Sequence, residues 1–196
     1  VTARARKPAP PEPAVIRDVA LLEDVTEGCV RALLAALAVR WPDVRVTETL
    51  RTEDRQRWLH ALGRTTVAKD GRGKRGTVTG AATAATTWHA YGLAADLFSP
   101  TAGWDVSSPF WTELLARCAE FDLRSGADWN ANGLTRDERF VDWPHVQLRR
   151  GPTGIEVPRS PTAVDQADYR AGHLAAVWAR YGLRGDTGAV PARAAA

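Results

Sequence analysis

No stretch of the sequence approaches the ~18 to 20 consecutive apolar residues of a membrane-spanning helix, so no membrane insertion is expected. The arginine- and proline-rich start leads into no apolar signal-peptide core, and no signal peptide is expected in this chain. Charge of one sign is also scarce: 26 Lys and Arg against 23 Asp and Glu leave +3, far from the clustered charge of a dedicated nucleic-acid binder. No nucleic-acid partner is expected, although a mild basic excess suits a polyanionic surface such as a cell wall. The two cysteines, Cys29 and Cys118, fall on apolar helical patterns beside Leu33 and Leu114, which predicts two buried thiols with neither a disulfide nor redox chemistry. There is no internal repeat, and no serine or cysteine has an evident partner base.

What is present is an ordinary globular balance, 44% hydrophobic and 25% charged over 196 residues, enough for one domain with a core plus tails. Residues 1–13, "VTARARKPAPPEP", have too little apolar content to pack and are expected as a disordered or extended arm. The domain is expected over 14–150, followed over 151–196 by a turn-rich linker, "GPTGIEVPRSP", and a C-terminal helical extension. In that extension Leu174, Val177, Trp178 and Tyr181 share a helical face suited to docking on the domain or on a partner.

From Asp24 the apolar residues Val30, Leu33, Leu34, Leu37 and Trp41 recur at helical spacing; Asp24 with Glu27 resembles a capping box, and Pro42 stops the run. "VRVTETL" then alternates, with Val44, Val46 and Leu50 on one side, as in a half-buried strand leading into Arg51. Thr52 caps a short helix that Gly63 ends. Residues 65–86 read as a long loop whose tip, Lys69, Arg72, Lys74 and Arg75, is either a solvated surface or an anion contact. Ser108 and Pro109 start a helix buried through Trp111, Leu114, Leu115 and Cys118, and "RFVDWPHVQL" is a strand entered through a proline bend. Helix, strand, long loop, strand, helix, strand is no βαβ series. It predicts an α+β fold with a small antiparallel sheet.

Chemistry concentrates in two places. Four histidines, His60, His89, His145 and His173, leave few candidates for a metal site, and His173 has no company to ligate with. Catalytic zinc takes three protein ligands and keeps a position open, whereas structural zinc is closed by four, usually with cysteine. In "HAYGLAADLF" the residues Gly92, Ala94, Asp96 and Phe98 share a strand face whose small side chains leave room for an ion, and Gly92 lets His89 fold back over Asp96. By itself this pair is either a metal half-site or a hydrogen-bonded core histidine. In "VDWPHVQL", Pro144 breaks the alternation so that Asp142 and His145 can turn towards one point, with Asp142 as general base for an attacking water. Zinc lowers the pKa of a bound water from ~15.7 to about 7, and ~9 units at ~1.36 kcal/mol each is roughly 12 kcal/mol. Arg51 offers a fixed cation for a substrate carboxylate or an oxyanion, or else a surface ion pair with Glu53 or Asp54.

"TWHAYGLAAD" resembles the Ser-x-His-x-x-Gly-x-Ala-x-Asp signature of the zinc D-alanyl-D-alanine carboxypeptidases and L-alanyl-D-glutamate endopeptidases, which cut peptidoglycan stem peptides. "LRTEDRQRWLHALGRT" and "VTGAATAATTWHAYGLAADL" resemble segments of the endopeptidase branch of phage endolysins and bacterial autolysins, and "GADW" and "DWPH" its closing motifs. The likeness runs from about Val15 to Arg149, and the arm and C-terminal segment lie outside it.

The resemblance implies a hedgehog/D-Ala-D-Ala-peptidase-like fold, one zinc per chain on His89, Asp96 and His145, and Asp142 as base. It implies Arg51 as oxyanion stabiliser, Gln56 facing the substrate, Trp129 walling the cleft, and a substrate contact for Thr87 where the family has serine. It further implies a monomer acting at the cell wall, periplasmic or extracellular, or released from the host cytoplasm if a phage endolysin. The expected cleavage is between L-alanine and D-glutamate. Release of terminal D-alanine is the alternative, and a zinc-containing binding module without turnover the alternative from another class.

Overall fold

The computed structural model describes residues 7–8, 10–62, 64, 66–67 and 78–183. In chain order the elements are β1 (Lys7–Pro8), α1 (Asp24–Ala38), β2 (Arg45–Glu48), α2 (Glu53–Ala61), β3 (Thr66–Val67), β4 (Ala94–Phe98), α3 (Pro109–Cys118), β5 (Leu123–Ser125), β6 (His145–Leu148), α4 (Ala163–Ala171) and α5 (Leu174–Arg180). The fold is α+β: β2-β4-β6-β5 form a four-stranded antiparallel sheet flanked by helices. A separate parallel pair, β1 with β3, has no counterpart in the sequence reading. The basic residues Lys69, Arg72, Lys74 and Arg75 lie outside the described residues, as do Gly63 and most of the arm. Among the described residues no helix is long and apolar enough to cross a membrane.

α1 and α3 cover one face of the sheet. Val30, Leu33 and Leu37 of α1 meet Phe110, Trp111 and Leu114 of α3, and together they seal Ala95, Leu97, Leu123 and Val146. Each fully buried Leu or Val contributes about 1.5–3 kcal/mol, so this layer anchors the strands that carry the site. Capping differs from the reading above. Glu23, one residue before Asp24, is the cap of α1, accepting from the N–H groups of Val25 (3.1 Å) and Thr26 (3.2 Å). Asp24 and Glu27 instead lie in the first turn, where the positive end of the helix dipole favours acids. Thr52 and Ser108 cap α2 and α3 as expected. Cys118 is buried and Cys29 half-buried, and both thiols are free.

A second core closes the other side. Trp88, Tyr91, Leu93 and Leu148 pack against Val157, Val177, Trp178, Tyr181 and Leu183, so the C-terminal helices dock on the sheet domain. What reads as one C-terminal helix is two, separated by Gly172 at φ +84°. They are tied by a wholly buried carboxylate. Asp165 accepts from Tyr181 Oη (2.7 Å), Thr162 Oγ1 (2.7 Å) and the Thr162 N–H (2.8 Å), and pairs with Arg180.

Burial raises the pKa of Asp165, but the hydrogen bonds from Thr162 and Tyr181 and the charge of Arg180 outweigh it and hold the carboxyl below its ordinary value. A depressed carboxyl pKa contributes stability above the unfolded value of ~3.9 and loses it as pH falls through the folded one. Each buried donor left without its acceptor costs about 1–3 kcal/mol. Asp165→Ala is therefore expected to destabilise the protein by about 3 kcal/mol at neutral pH. In urea titrations followed by tryptophan fluorescence, the gap to wild type should narrow below about pH 4.

Candidate metal centre

The site is built on the face of the sheet opposite α1 and α3. Asp96 on β4 lies in register with His145 on β6 and with Glu48 on β2, and residues directly opposed in an antiparallel pair share a face. His89 arrives from a single 3-10 turn, Trp88–Tyr91, closed by Gly92 at φ +71°. Any side chain at Gly92 would be strained by that φ and would press its Cβ to 3.0 Å from the Glu23 nitrogen. The strand begins at Ala94, so Gly92 ends the turn and does not share the strand face with Asp96. His89 nevertheless folds back over Asp96 as the sequence implied.

Three donors converge. His89 Nε2 stands 3.1 Å from His145 Nδ1 and 3.2 Å from Asp96 Oδ1, and His145 Nδ1 stands 3.4 Å from the same oxygen. Their outer partners settle which nitrogens carry protons. His89 Nδ1 lies 2.7 Å from the Thr49 carbonyl, which can only accept, so that nitrogen is the N–H. His145 Nε2 lies 3.1 Å from Gln147 Oε1, and Gln147 is oriented by donating its Nε2–H to the Pro158 carbonyl at 3.2 Å. In their neutral forms both imidazoles therefore turn lone pairs inward, towards the buried Asp96 Oδ1. Lone pairs and a carboxylate within 3.4 Å of one another are satisfied by a cation between them, a metal ion or, when none is bound, a proton shared by His145 and Asp96. Ligand atoms ~2.0–2.1 Å from a tetrahedral metal stand ~3.3 Å apart, which is the spacing found. His89, Asp96 and His145 fit a metal ion.

Electrostatics distinguish the two imidazoles. Burial, with the Arg51 charge behind it, lowers the His89 pKa and keeps that imidazole neutral. Burial also acts to lower His145, but Asp96, through hydrogen bond and charge, and then Asp142 outweigh it and raise the pKa. Burial works against ionisation of Asp96, yet His89, His145 and Arg51 hold its carboxyl well below the usual range.

Asp142 sits at the head of the turn Asp142-Trp143-Pro144-His145, closed by the His145 N–H on the Asp142 carbonyl at 3.2 Å. Gly126 makes this turn possible: a Cβ there would lie 2.4 Å from the Asp142 carbonyl oxygen and 2.9 Å from the His145 Cβ. Burial, then the charge of Asp96, pushes the Asp142 carboxyl up to about 6. A raised carboxylate beside a ligand cluster is a proton acceptor matched to near-neutral chemistry.

Arg51 is 9% exposed and engaged: its Nη2 donates to Asp96 Oδ2 (2.9 Å) and Glu48 Oε2 (2.7 Å), and its Nη1 to Gln56 Oε1 (3.3 Å). A pair with Glu53 or Asp54 is not what the fold provides, since Glu53 instead pairs with Arg57 and accepts from the Ala84 N–H. Gln56 is wholly buried and donates to the Ala81 carbonyl at 2.5 Å. Trp129 lies against His145 with ring centroids 5.3 Å apart, and Arg159 lies over its ring at 4.7 Å. Thr87 opens the turn that carries His89 and its side chain caps nothing.

Glu48 is the site residue that sequence reasoning missed. Strict alternation from Val44 and Val46 to Leu50 assigns position 48 to the core face. The register, however, shifts between Val46 and Glu48, and Thr47 is the extra residue. This bulge turns Glu48 to face Asp96 instead, where it holds Arg51 and accepts from Arg55 Nε at 2.9 Å. The available signal was a glutamate on an apolar parity.

No protein-family model matches the chain, and no well-characterised protein matches it by sequence. Among solved structures it is similar to LdcB, an LD-carboxypeptidase whose structure was described as revealing the molecular basis of peptidoglycan recognition. The identity is 13% and the TM-score 0.44; the match covers 77% of this chain and 64% of that one, so this chain spans under two thirds of its length.

Proposed function

We propose that the chain is a zinc-dependent peptidoglycan hydrolase that acts at the cell wall and cleaves the stem peptide between L-alanine and D-glutamate. The observation that carries this reading is the set of three metal-ligating side chains with donor atoms 3.1 to 3.4 Å apart and a carboxylate of raised pKa beside them. The substrate and bond rest on the resemblance of the motifs around Arg51, His89, Trp129 and His145 to the endopeptidase branch.

His89, Asp96 and His145 would hold the ion, which as a Lewis acid polarises a carbonyl and acidifies water. Asp142, close to half-protonated at pH 6 and mostly ionised at pH 7, accepts the proton of the attacking water and returns it to the leaving amine. Arg51 orients Asp96 through its Nη2 and brings positive charge to the side of the site where the oxyanion develops. Gln56 holds the guanidinium in that orientation, and Trp129 walls the cleft beside His145. Thr87 faces the substrate in this reading.

Asp142→Ala is expected to keep the metal and lose about 10²–10⁴-fold in turnover, while His89→Ala loses metal and activity together. Mass spectrometry of digested muropeptides, with and without a chelator, reads both. Free D-alanine as the sole product would replace the endopeptidase assignment, and metal binding with no product at all would favour the binding module.

Gln147 generates a separate expectation, because its amide fixes the His145 tautomer without touching the ion. Gln147→Ala should weaken zinc affinity about 10–100-fold in competition with a chromophoric chelator. Gln147→Glu, which still accepts from His145 Nε2, should restore most of it.

A further inference from the structure

Two of the three metal-ligating side chains are supported from behind by a segment that precedes α1. Residues 10–16, which belong to no helix or strand, meet α2 and the end of β2 at three points. The Pro10 carbonyl accepts from Trp58 Nε1 (2.9 Å), and Glu12 pairs with Arg55 (2.5 Å). The Ile16 carbonyl accepts from the Thr49 N–H (2.7 Å) and from Thr49 Oγ1 (3.2 Å).

The last two contacts each lead to a ligand. Thr49 is wholly buried one residue beyond β2, and its carbonyl takes the Nδ1–H of His89 at 2.7 Å. The position of that carbonyl fixes the tautomer and the angle of the imidazole. Pairing of β2 with β4 ends at Glu48, so the N–H of Thr49 is held by Ile16 and not by the sheet. Glu12 reaches Asp96 through three charges in line. Arg55 Nε donates to Glu48 Oε1 (2.9 Å), and Arg51 Nη2 donates to Glu48 Oε2 (2.7 Å) and to Asp96 Oδ2 (2.9 Å). Arg55 is 8% exposed, and a guanidinium so buried needs its donors answered. Without Glu12, Glu48 is the one carboxylate left within ion-pair distance of Arg55 among the described residues. The pull of Arg55 on Glu48 then rises at the expense of Arg51, which orients Asp96.

We propose that residues 10–16 are a positioning strap for the metal centre, with Glu12 setting Asp96 and the Ile16 carbonyl setting His89. Metal affinity falls when the strap is loosened. The proposal rests on His89, Asp96 and His145 as a metal site and is independent of which bond is cut. The coupling is reciprocal: what the docked strap adds to metal affinity, the bound metal adds to docking.

The test measures zinc affinity of the full chain by competition with a chromophoric chelator, beside Tm in EDTA. Glu12→Ala removes the outer partner of Arg55 and should weaken zinc binding about 5-fold or more. Trp58→Phe removes the indole N–H at Pro10 while keeping a ring beneath Arg55, and should weaken it in the same direction. The double variant should lose less than the product of the two effects, because both loosen one strap. A strap that serves stability alone would lower Tm in EDTA and leave zinc affinity at the wild-type value, which overturns the proposal. The wild-type chain supplies a reading that needs no variant to fold: zinc should slow hydrogen exchange of the Trp58 indole N–H at the exposed end of the strap. Exchange unchanged by zinc overturns the strap. A wild-type chain that binds no zinc overturns the metal site itself, whereas zinc bound equally by wild type and Glu12→Ala overturns the strap alone.

Discussion

Two imidazoles and a carboxylate oxygen are held within 3.4 Å of one another, their lone pairs repelling wherever no cation lies between them, and much of the molecule serves to hold them there. The repulsion is overcome by rigidity on three sides. Cross-strand register fixes Asp96 against His145, the α1/α3 layer locks that register from the opposite face, and the turn ending at Gly92 presses His89 down from above. A one-residue slip would turn Asp96 into the core and put Ala95 in its place, so the apolar packing of Ala95, Leu97 and Val146 also specifies the polar face.

Behind the donors runs a file of alternating charge, Arg55, Glu48, Arg51 and Asp96, all largely buried. Its value lies in orientation more than in net stability, since desolvating such charges offsets most of their attraction. Arg51 occupies Asp96 Oδ2 and leaves Oδ1 facing the histidines. Glu48 in turn keeps Arg51 from swinging out to solvent. The Thr47 bulge is thus a functional feature of β2, because without it the file would lose its second member.

The helices α1, α2 and α3 and the four polar residues of the centre were legible in the sequence because they rest on local signals. Heptad-like spacing marks α1, Ser108-Pro109 marks α3, and His89, Asp96, Asp142 and His145 stand in short motifs next to a glycine or proline that bends the chain. What could not be read depends on partners distant in sequence. The shift that brings Glu48 to Asp96 is a property of two strands, not of "VRVTETL". The capping by Glu23 displaced that of Asp24 because Gly92 approaches Glu23 from far along the chain, its carbonyl accepting the Glu23 N–H at 3.0 Å. Gln56 and Arg51 were identifiable as residues of interest, but their near-complete enclosure was not, since the loop at Ala81 and the neighbouring strand supply it.

The Pro158 carbonyl takes a hydrogen bond from Gln147 and another, at 2.7 Å, from the indole of Trp88. One backbone oxygen thereby joins the neighbour of the first histidine to the support of the second. During synthesis all three donors leave the ribosome before that oxygen does. The nascent sheet can form with the His145 tautomer still unfixed, and Gln147 gains its anchor only when the segment after Glu156 folds down over it. The strands are thus paired before the His145 side chain is fixed.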